Sequence, residues 1–254
     1  MKVLVCVKRV PFTGGKMVLA ADSMSLETKH LGFTISPHEE CGVEEAVRLI
    51  EAGSGESVVL TVGTAEAVEQ LRDAMALGID RAIHLQTDGS EWDPEATAAA
   101  IVEAIRADET ASGAFDLIFF GNESADSGGF QVGLRVARAL MRPCVTGLKG
   151  VAVQGESVRC EQEAEGGRDV YTVPMPAVLS VKEGLNLPRY PSVPGRMRAG
   201  RKPVATSRPS MGPARLELVR LVVPPGQGRR AEVLGRGPSA APAVVEMMRK
   251  IGVA

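Results

Sequence analysis

The chain has 254 residues, a formal net charge of −2, 44% hydrophobic residues and 24% charged residues. These proportions are those of an ordinary globular protein, and the near-neutral balance excludes general nucleic-acid binding, which needs a strong cationic excess to neutralise phosphates. No apolar run approaches membrane-spanning length, and Lys8-Arg9 ends the first apolar stretch too early for a signal peptide, so a cytoplasmic protein without membrane insertion is expected.

The segment "KVLVCVK" (2–8) is a continuous Val-rich run, the pattern of a parallel strand buried on both faces. "SPHEECGVEEAVRLIEA" (36–52) opens a helix: Ser36 is a predicted N-cap, Pro37 suits the first helical position, and Glu39 completes a capping box. Val43, Ala46, Val47 and Ile50 then give it one apolar face. A strand follows at 57–63, a helix at 65–78 ending on glycine, and a strand at 81–86. "DPEATAAAIVEAIRA" (93–107) is a helix with Asp93 as N-cap, "FDLIFFG" (115–121) a fourth buried strand, and 130–140 a helix.

Strands alternating with helices of this length imply right-handed crossovers and a doubly wound α/β fold with a mostly parallel sheet. After residue 144 the rhythm changes. Short strands with a hairpin at Gly166-Gly167 precede a buried strand at 177–181. Then "LNLPRYPSVPGRMRAGRK" (185–202) reads as neither strand nor helix, and it carries no acidic residue. Long loops inside compact domains are commonly functional or disordered. Beyond it, 215–223 alternates like a strand, "GQGRR" (226–230) is a break, and 241–252 is a helix with Val244, Met248 and Ile251 aligned. The predicted organisation is an α/β domain over 1–182, a loop over 183–203, and a C-terminal arm over 204–254 too poor in apolar residues to form its own core.

Open parallel sheets bind ligands at the carboxyl ends of their strands. "GNESADSGGFQVG" (121–133) is the strongest such end, because Ser124, Ser127, Gly128 and Gly129 allow close approach of a phosphate to a helix N-terminus. The residues alone leave open a long capped turn instead, since Asp126 would repel a phosphate beside it. "SPHEE" (36–40) is a second end, adequately explained as a helix start, and "VCVKRVP" (5–11) a third, placing Cys6 and Arg9 near the same crevice. Cys6 itself reads as a small core residue. The scattered cysteines (Cys6, Cys41, Cys144, Cys160) include no CxxC, which predicts neither a zinc site nor a disulfide framework. No catalytic constellation is recognisable, and no bond-breaking enzyme is expected.

The strings "LNLPRYPSVPG" after "PAVLSV", "VLVCVKRVP" at the start, "GVEEAVRL" in the first helix and "LGIDRAIHL" (77–85) resemble the small (beta) subunits of electron-transfer flavoproteins, from residue 2 to about 203. The resemblance implies a heterodimer with a larger alpha subunit that carries redox-active FAD. Such an assembly takes electrons from dehydrogenases, acyl-CoA dehydrogenase among them, and passes them toward a quinone oxidoreductase. It further implies a structural AMP held by Cys6, by Ser36, Pro37, His38 and Glu39, by Val62, and by Gly121, Asn122, Glu123, Ser124, Ala125, Asp126, Ser127, Gly128, Gly129, Phe130, Gln131 and Val132.

By the same resemblance, residues 181–203 form a recognition loop whose apolar anchor is Val193, where the family often has leucine. Tyr190, Arg196, Arg198, Arg201 and Lys202 join it in meeting partners, and Glu163 matches a carboxylate that pairs with an alpha-subunit arginine. The sequence departs from the family at "DSGG" (126–129), where relatives carry "DDD" or "DGDT". The "DGDT" form resembles electron-bifurcating members with a second FAD, so its absence favours AMP. Near "PFTGGK" (11–16) a family tyrosine is missing, so that either Phe12 or Thr13 substitutes for it or the contact is absent. Two alternatives are a bifurcating subunit with a second FAD and a stand-alone nucleotide-sensing module.

Overall fold

Val3, Leu4 and Val5 are fully buried in the first strand, and their side chains alternate between two separate cores. The strand must therefore be covered on both faces, and the rest of the fold supplies the covers. The structure is a computed structural model that describes residues 1–12, 14, 17–212, 215–224 and 232–253. It divides into two units, Met1–Arg220 and Leu221–Ala254.

In chain order the first unit contains β1 (Lys2–Cys6), β2 (Val10–Pro11), β3 (Phe33–Thr34), α1 (Pro37–Ala52), β4 (Glu56–Gly63) and α2 (Val68–Leu77). These are followed by β5 (Arg81–Gln86), α3 (Pro94–Ser112), β6 (Leu117–Gly121) and α4 (Val132–Leu140). The antiparallel strands β7 (Cys144–Gln154), β8 (Ser157–Ala164) and β9 (Gly167–Pro174) come next, then β10 (Ala177–Val181), α5 (Val193–Ala199) and β11 (Val204–Ser207). The nine-stranded sheet runs β11-β5-β4-β1-β6-β10-β7-β8-β9. Every pairing from β11 to β7 is parallel, and β7-β8 and β8-β9 are antiparallel. This is the expected α/β class with a large, mostly parallel sheet flanked by helices.

One core packs Val3, Val5 and Val7 under Val43, Val47, Leu71 and Met75 of α1 and α2. The other packs Leu4 and Cys6 under Ile101 and Ile105 of α3 and Val136 of α4. Each such side chain taken fully out of water contributes about 1.5–3 kcal/mol before the entropy of ordering is subtracted. Helix α1 starts as expected: the Glu39 N–H donates to Ser36 Oγ at 3.2 Å, and the Ser36 N–H donates to Glu39 Oε2 at 3.0 Å. In α3, Asp93 Oδ1 accepts the Ala96 N–H at 2.7 Å, and the helix runs on to Ser112 before Gly113 turns it out at φ 88°.

Three local expectations are corrected. Residues 185–202 are not wholly irregular, because Ser192 caps the short helix α5 by accepting the Gly195 N–H at 3.1 Å. Residues 215–223 form no strand: alternation alone does not make one without a neighbouring ladder to fill, and Leu216 and Leu218 line a cleft instead. The helix predicted from 65 begins as a 3-10 turn at Ala65–Ala67. Thr13 and the break at 226–230 lie outside the described residues.

The second unit contains a 3-10 turn (Pro238–Ala240) and helix α6 (Ala241–Lys250). None of the helix is buried, and Val244 and Met248 remain about 40% exposed. Among the described residues no helix is long and apolar enough to cross a membrane.

Candidate functional site

Strands β1 and β6 are neighbours, yet the chain leaves β1 toward β4 and β5 on one side and returns to β6 on the other. The order reverses between them, which opens a crevice at their carboxyl ends. A cleft of about 1040 Å³ lies there, large enough for a mononucleotide.

Its wall on the α1 side is built by Glu39. This buried carboxyl accepts the Lys8 N–H at 3.0 Å through Oε1 and the Ser36 N–H through Oε2, tying the end of β1 to the start of α1. Burial pushes the Glu39 carboxyl up to about 8, although both amides and the Lys8 charge pull the other way. The end of β6 comes so close that a Cβ on Gly121 would sit 2.8 Å from Glu39 Cγ. Glycine is therefore required by contact and not by backbone angle. Burial, with a smaller contribution from Glu39, pushes the Cys6 thiol far up, so Cys6 is an inert wall residue.

The loop from β6 to α4 is organised around Ser124. The Gly128 N–H donates to its carbonyl at 2.9 Å, the Gly129 N–H to its Oγ at 3.2 Å, and its hydroxyl lies 2.7 Å from that of Ser127. Gly128 adopts φ 62°, which L side chains rarely do. The Lys8 ammonium lies 2.7 Å from Asp126 Oδ2, and the Ser127 N–H donates to Asp126 Oδ1 at 2.8 Å. Partial burial alone would raise the Asp126 carboxyl, but these partners outweigh it and hold it below the ordinary carboxylate value.

Of the expected site residues, Cys6, Glu39, Val62, Gly121, Asn122, Glu123, Ser124, Ser127, Gly128, Gly129, Phe130, Gln131 and Val132 line this one cleft. Ser36 and Pro37 form the helix start behind it, and Ala125 is exposed on the loop. His38 Nε2 lies 3.4 Å from Glu123 Oε1. Arg9, placed by its sequence near the same crevice, instead stacks on the Phe33 ring with its guanidinium 3.4 Å from the centroid. Sequence reasoning passed over Lys8, Trp92, Ile101 and the Leu216–Leu218 segment, all of which line the cleft. Trp92 follows the carboxyl end of β5, so the strand-end rule could have found it. Leu216 is brought in by an N–H donated from Arg215 to Asp93 Oδ2 at 2.9 Å, a contact between residues 122 positions apart that no local pattern announces.

The arm from 183 to 203 is held at both ends. Near its start, Asn186 Nδ2 donates to Cys41 O at 3.0 Å and to Glu45 Oε2 at 2.9 Å, and Arg189 grips Glu44 and Glu51 at 2.9 and 2.7 Å. Near its end, Lys202 Nζ donates to the carbonyl of Met75 in the last turn of α2 and to those of Gly78 and Ile79 just after it. Lys202 is thus committed to the arm's own anchorage, while Arg198 and Arg201 stand exposed and Arg196 pairs with Asp73 at 3.2 Å. Between the anchors, Leu187, Tyr190, Val193 and Met197 face solvent at 91%, 96%, 73% and 68% exposure. Glu163, on the β8-β9 hairpin, lies 2.9 Å from Lys149 of the same chain.

The family model described as the electron transfer flavoprotein domain matches residues 23–210. The electron transfer flavoprotein subunit beta of Syntrophomonas wolfei is 34% identical over 250 residues, covering 98% of this chain and 96% of the relative. That of Bacillus subtilis is 33% identical over 206 residues, covering 80% and 77%. The mitochondrial subunit beta of Arabidopsis thaliana is 35% identical over 207 residues, covering 80% of each.

Proposed function

The chain belongs to the electron transfer flavoprotein family, among its beta subunits, and on that premise we propose that it is the nucleotide-holding, partner-docking half of a heterodimeric electron carrier. The beta-subunit designation of its relatives supports a larger alpha subunit as its partner. The carrier accepts electrons from dehydrogenases such as acyl-CoA dehydrogenase and passes them to a quinone oxidoreductase in the respiratory chain. FAD, held mainly by the alpha subunit, supplies the redox chemistry, and this chain breaks no bond of its own. We assign this chain to the cytoplasm.

The observation that carries the reading is the cleft at the β1/β6 switch point, with a buried wall and a serine-glycine loop leading into α4. Its residues fit AMP. Val62, Trp92, Ile101 and Phe120 offer an apolar side to a base, and the loop from Gly121 to Val132 with the first free amides of α4 offers donors to a phosphate. Glu39 ties the end of β1 to the start of α1 and so fixes the wall behind the ligand. The arm then presents Tyr190 and Val193 to a dehydrogenase, while Arg196, Arg198 and Arg201 raise its on-rate toward acidic faces. The chain beyond β11 packs on the alpha subunit, which would cover exposed side chains such as Val219 and Val222. Glu163 exchanges Lys149 for an alpha-subunit arginine.

Co-purification with the larger subunit, followed by denaturation and quantification of released FAD and AMP, tests this. One FAD and one AMP per heterodimer is the expected result. Two FAD without AMP would make the subunit a bifurcating one, and a chain with neither flavin nor partner would overturn the proposal.

A further inference from the structure

The cleft loop already contains a filled anion nest. An ammonium (Lys8) and a backbone amide (Ser127) converge on one carboxylate, that of Asp126, at 2.7 and 2.8 Å. Those are the donors a phosphomonoester takes, and the occupant belongs to the chain itself. Lys8 and Ser127 both line the cleft, and the Lys8 side chain is 43% exposed, so its charge is reachable from the ligand space. The backbone behind it is fixed, because the Lys8 N–H is bound to buried Glu39. Only the flexible stem of the lysine and the loop carrying Asp126 need to move for the ammonium to change partners.

We propose that Asp126 is an internal stand-in for phosphate and that Lys8 is the cation it holds in reserve, so that this ion pair sets how strongly the cleft prefers a nucleoside monophosphate over its nucleoside. Binding exchanges one anion for another on Lys8 and Ser127, and Asp126 is displaced from the nest. A dianionic phosphate makes stronger contacts than a monoanionic carboxylate, but it must also stay clear of the displaced Asp126 charge. The net preference for phosphate is therefore moderate. Which side wins depends on Asp126, and removing its charge while keeping its shape leaves the donors with the phosphate alone. The proposal rests on the nucleotide reading above and adds the residues that determine phosphate selectivity.

The test is calorimetric titration of AMP and of adenosine into the nucleotide-free full chain and its Asp126→Asn, Lys8→Met and Lys8→Arg variants, each checked for an unchanged melting transition. The quantity read is the ratio of AMP to adenosine affinity. Asp126→Asn should raise that ratio at least about fivefold, since a like charge beside the phosphate is removed. Lys8→Met should bring it close to unity, and Lys8→Arg should retain most of it. Both ligands binding with a ratio that Asp126→Asn leaves unchanged or lowers would overturn the stand-in and leave the nucleotide reading intact. Neither ligand binding the unmodified chain would overturn the nucleotide reading, and the stand-in with it.

Discussion

The Glu183 N–H donates to Nδ1 of His38 at 2.7 Å, joining residues 145 positions apart. A ring nitrogen that accepts an amide proton carries none of its own, so the neutral ring's proton sits on Nε2, which faces Glu123 Oε1 at 3.4 Å. One side chain in the first turn of α1 therefore touches the β6–α4 loop on one side and the root of the arm on the other. Partial burial and the nearby Glu183 charge both push the adjacent Glu40 carboxyl up, so this junction is sensitive to changes in charge.

His38→Ala should free the root of the arm. Amide exchange over residues 183–187 is expected to quicken by about tenfold or more, with little change in β1 or β6. His38→Asn, whose carboxamide oxygen is an acceptor at a similar distance from the backbone, should keep most of the protection. Equal exchange in all three proteins would show that the bond carries no load.

Arg189 holds the next stretch. Glu44 is only 4% exposed, and Arg189 contacts both its oxygens as well as Glu51. Arg189→Ala leaves a buried carboxylate without its partner and should lower unfolding stability by roughly 2 kcal/mol, below the value for a fully buried pair because the arginine is one-third exposed. Arg189→Lys should not restore it, because one ammonium cannot reproduce the planar fork. Urea denaturation of both variants decides the point, and a loss under about 0.5 kcal/mol would place the clamp among ordinary surface pairs.

Val193 sits at the first position of α5 and contributes little to the fold. Val193→Ala should leave the free energy of unfolding in urea within about 0.5 kcal/mol of that of the unmodified chain. In the heterodimer it should slow electron acceptance from a dehydrogenase while flavin content stays unchanged. Loss of flavin in parallel with the rate would move Val193 from docking to the subunit interface.

Two carboxyls make opposite contributions to pH stability. Burial pushes Glu39 from an ordinary 4.5 up to about 8, so the folded state binds its proton more tightly, and that stability is full below pH 4.5 and lost as pH rises through 8. At Asp108, burial alone would raise the carboxyl, but the bonds from Arg81 and Lys2 outweigh it and hold it at about 2. Its contribution is full above the ordinary 3.8 and lost as pH falls through 2. Thermal melts across pH should show Glu39→Gln flattening the alkaline limb and Asp108→Asn the acid limb. Exchanged or absent effects would mean that the burial and ion-pair assignments are wrong.

Much of the architecture was legible in local pattern. The capping box of Ser36 and Glu39, the Val-rich runs of β1 and β4, and the strand at 177–181 are all patterns spanning a few neighbouring residues. Most of the cleft was legible too, because the carboxyl ends of parallel strands gather on one edge by geometry. Lys8 escaped notice because a single lysine after a strand carries no signal until Asp126, 118 positions away in sequence, is brought beside it. Lys202 reads as a free cation in the sequence for the same reason: the carbonyls it satisfies lie at the end of α2 and just beyond it.

By itself, then, the sequence determined the element types and their α/β alternation, since side-chain period and capping chemistry are properties of neighbouring residues. Only the tertiary structure decided the strand order that opens the crevice, the failure of 215–223 to find a ladder, and the ion pair that closes on Asp126. Those outcomes are pairings between distant segments, chosen by which edges and charges remain unsatisfied once the two cores have closed.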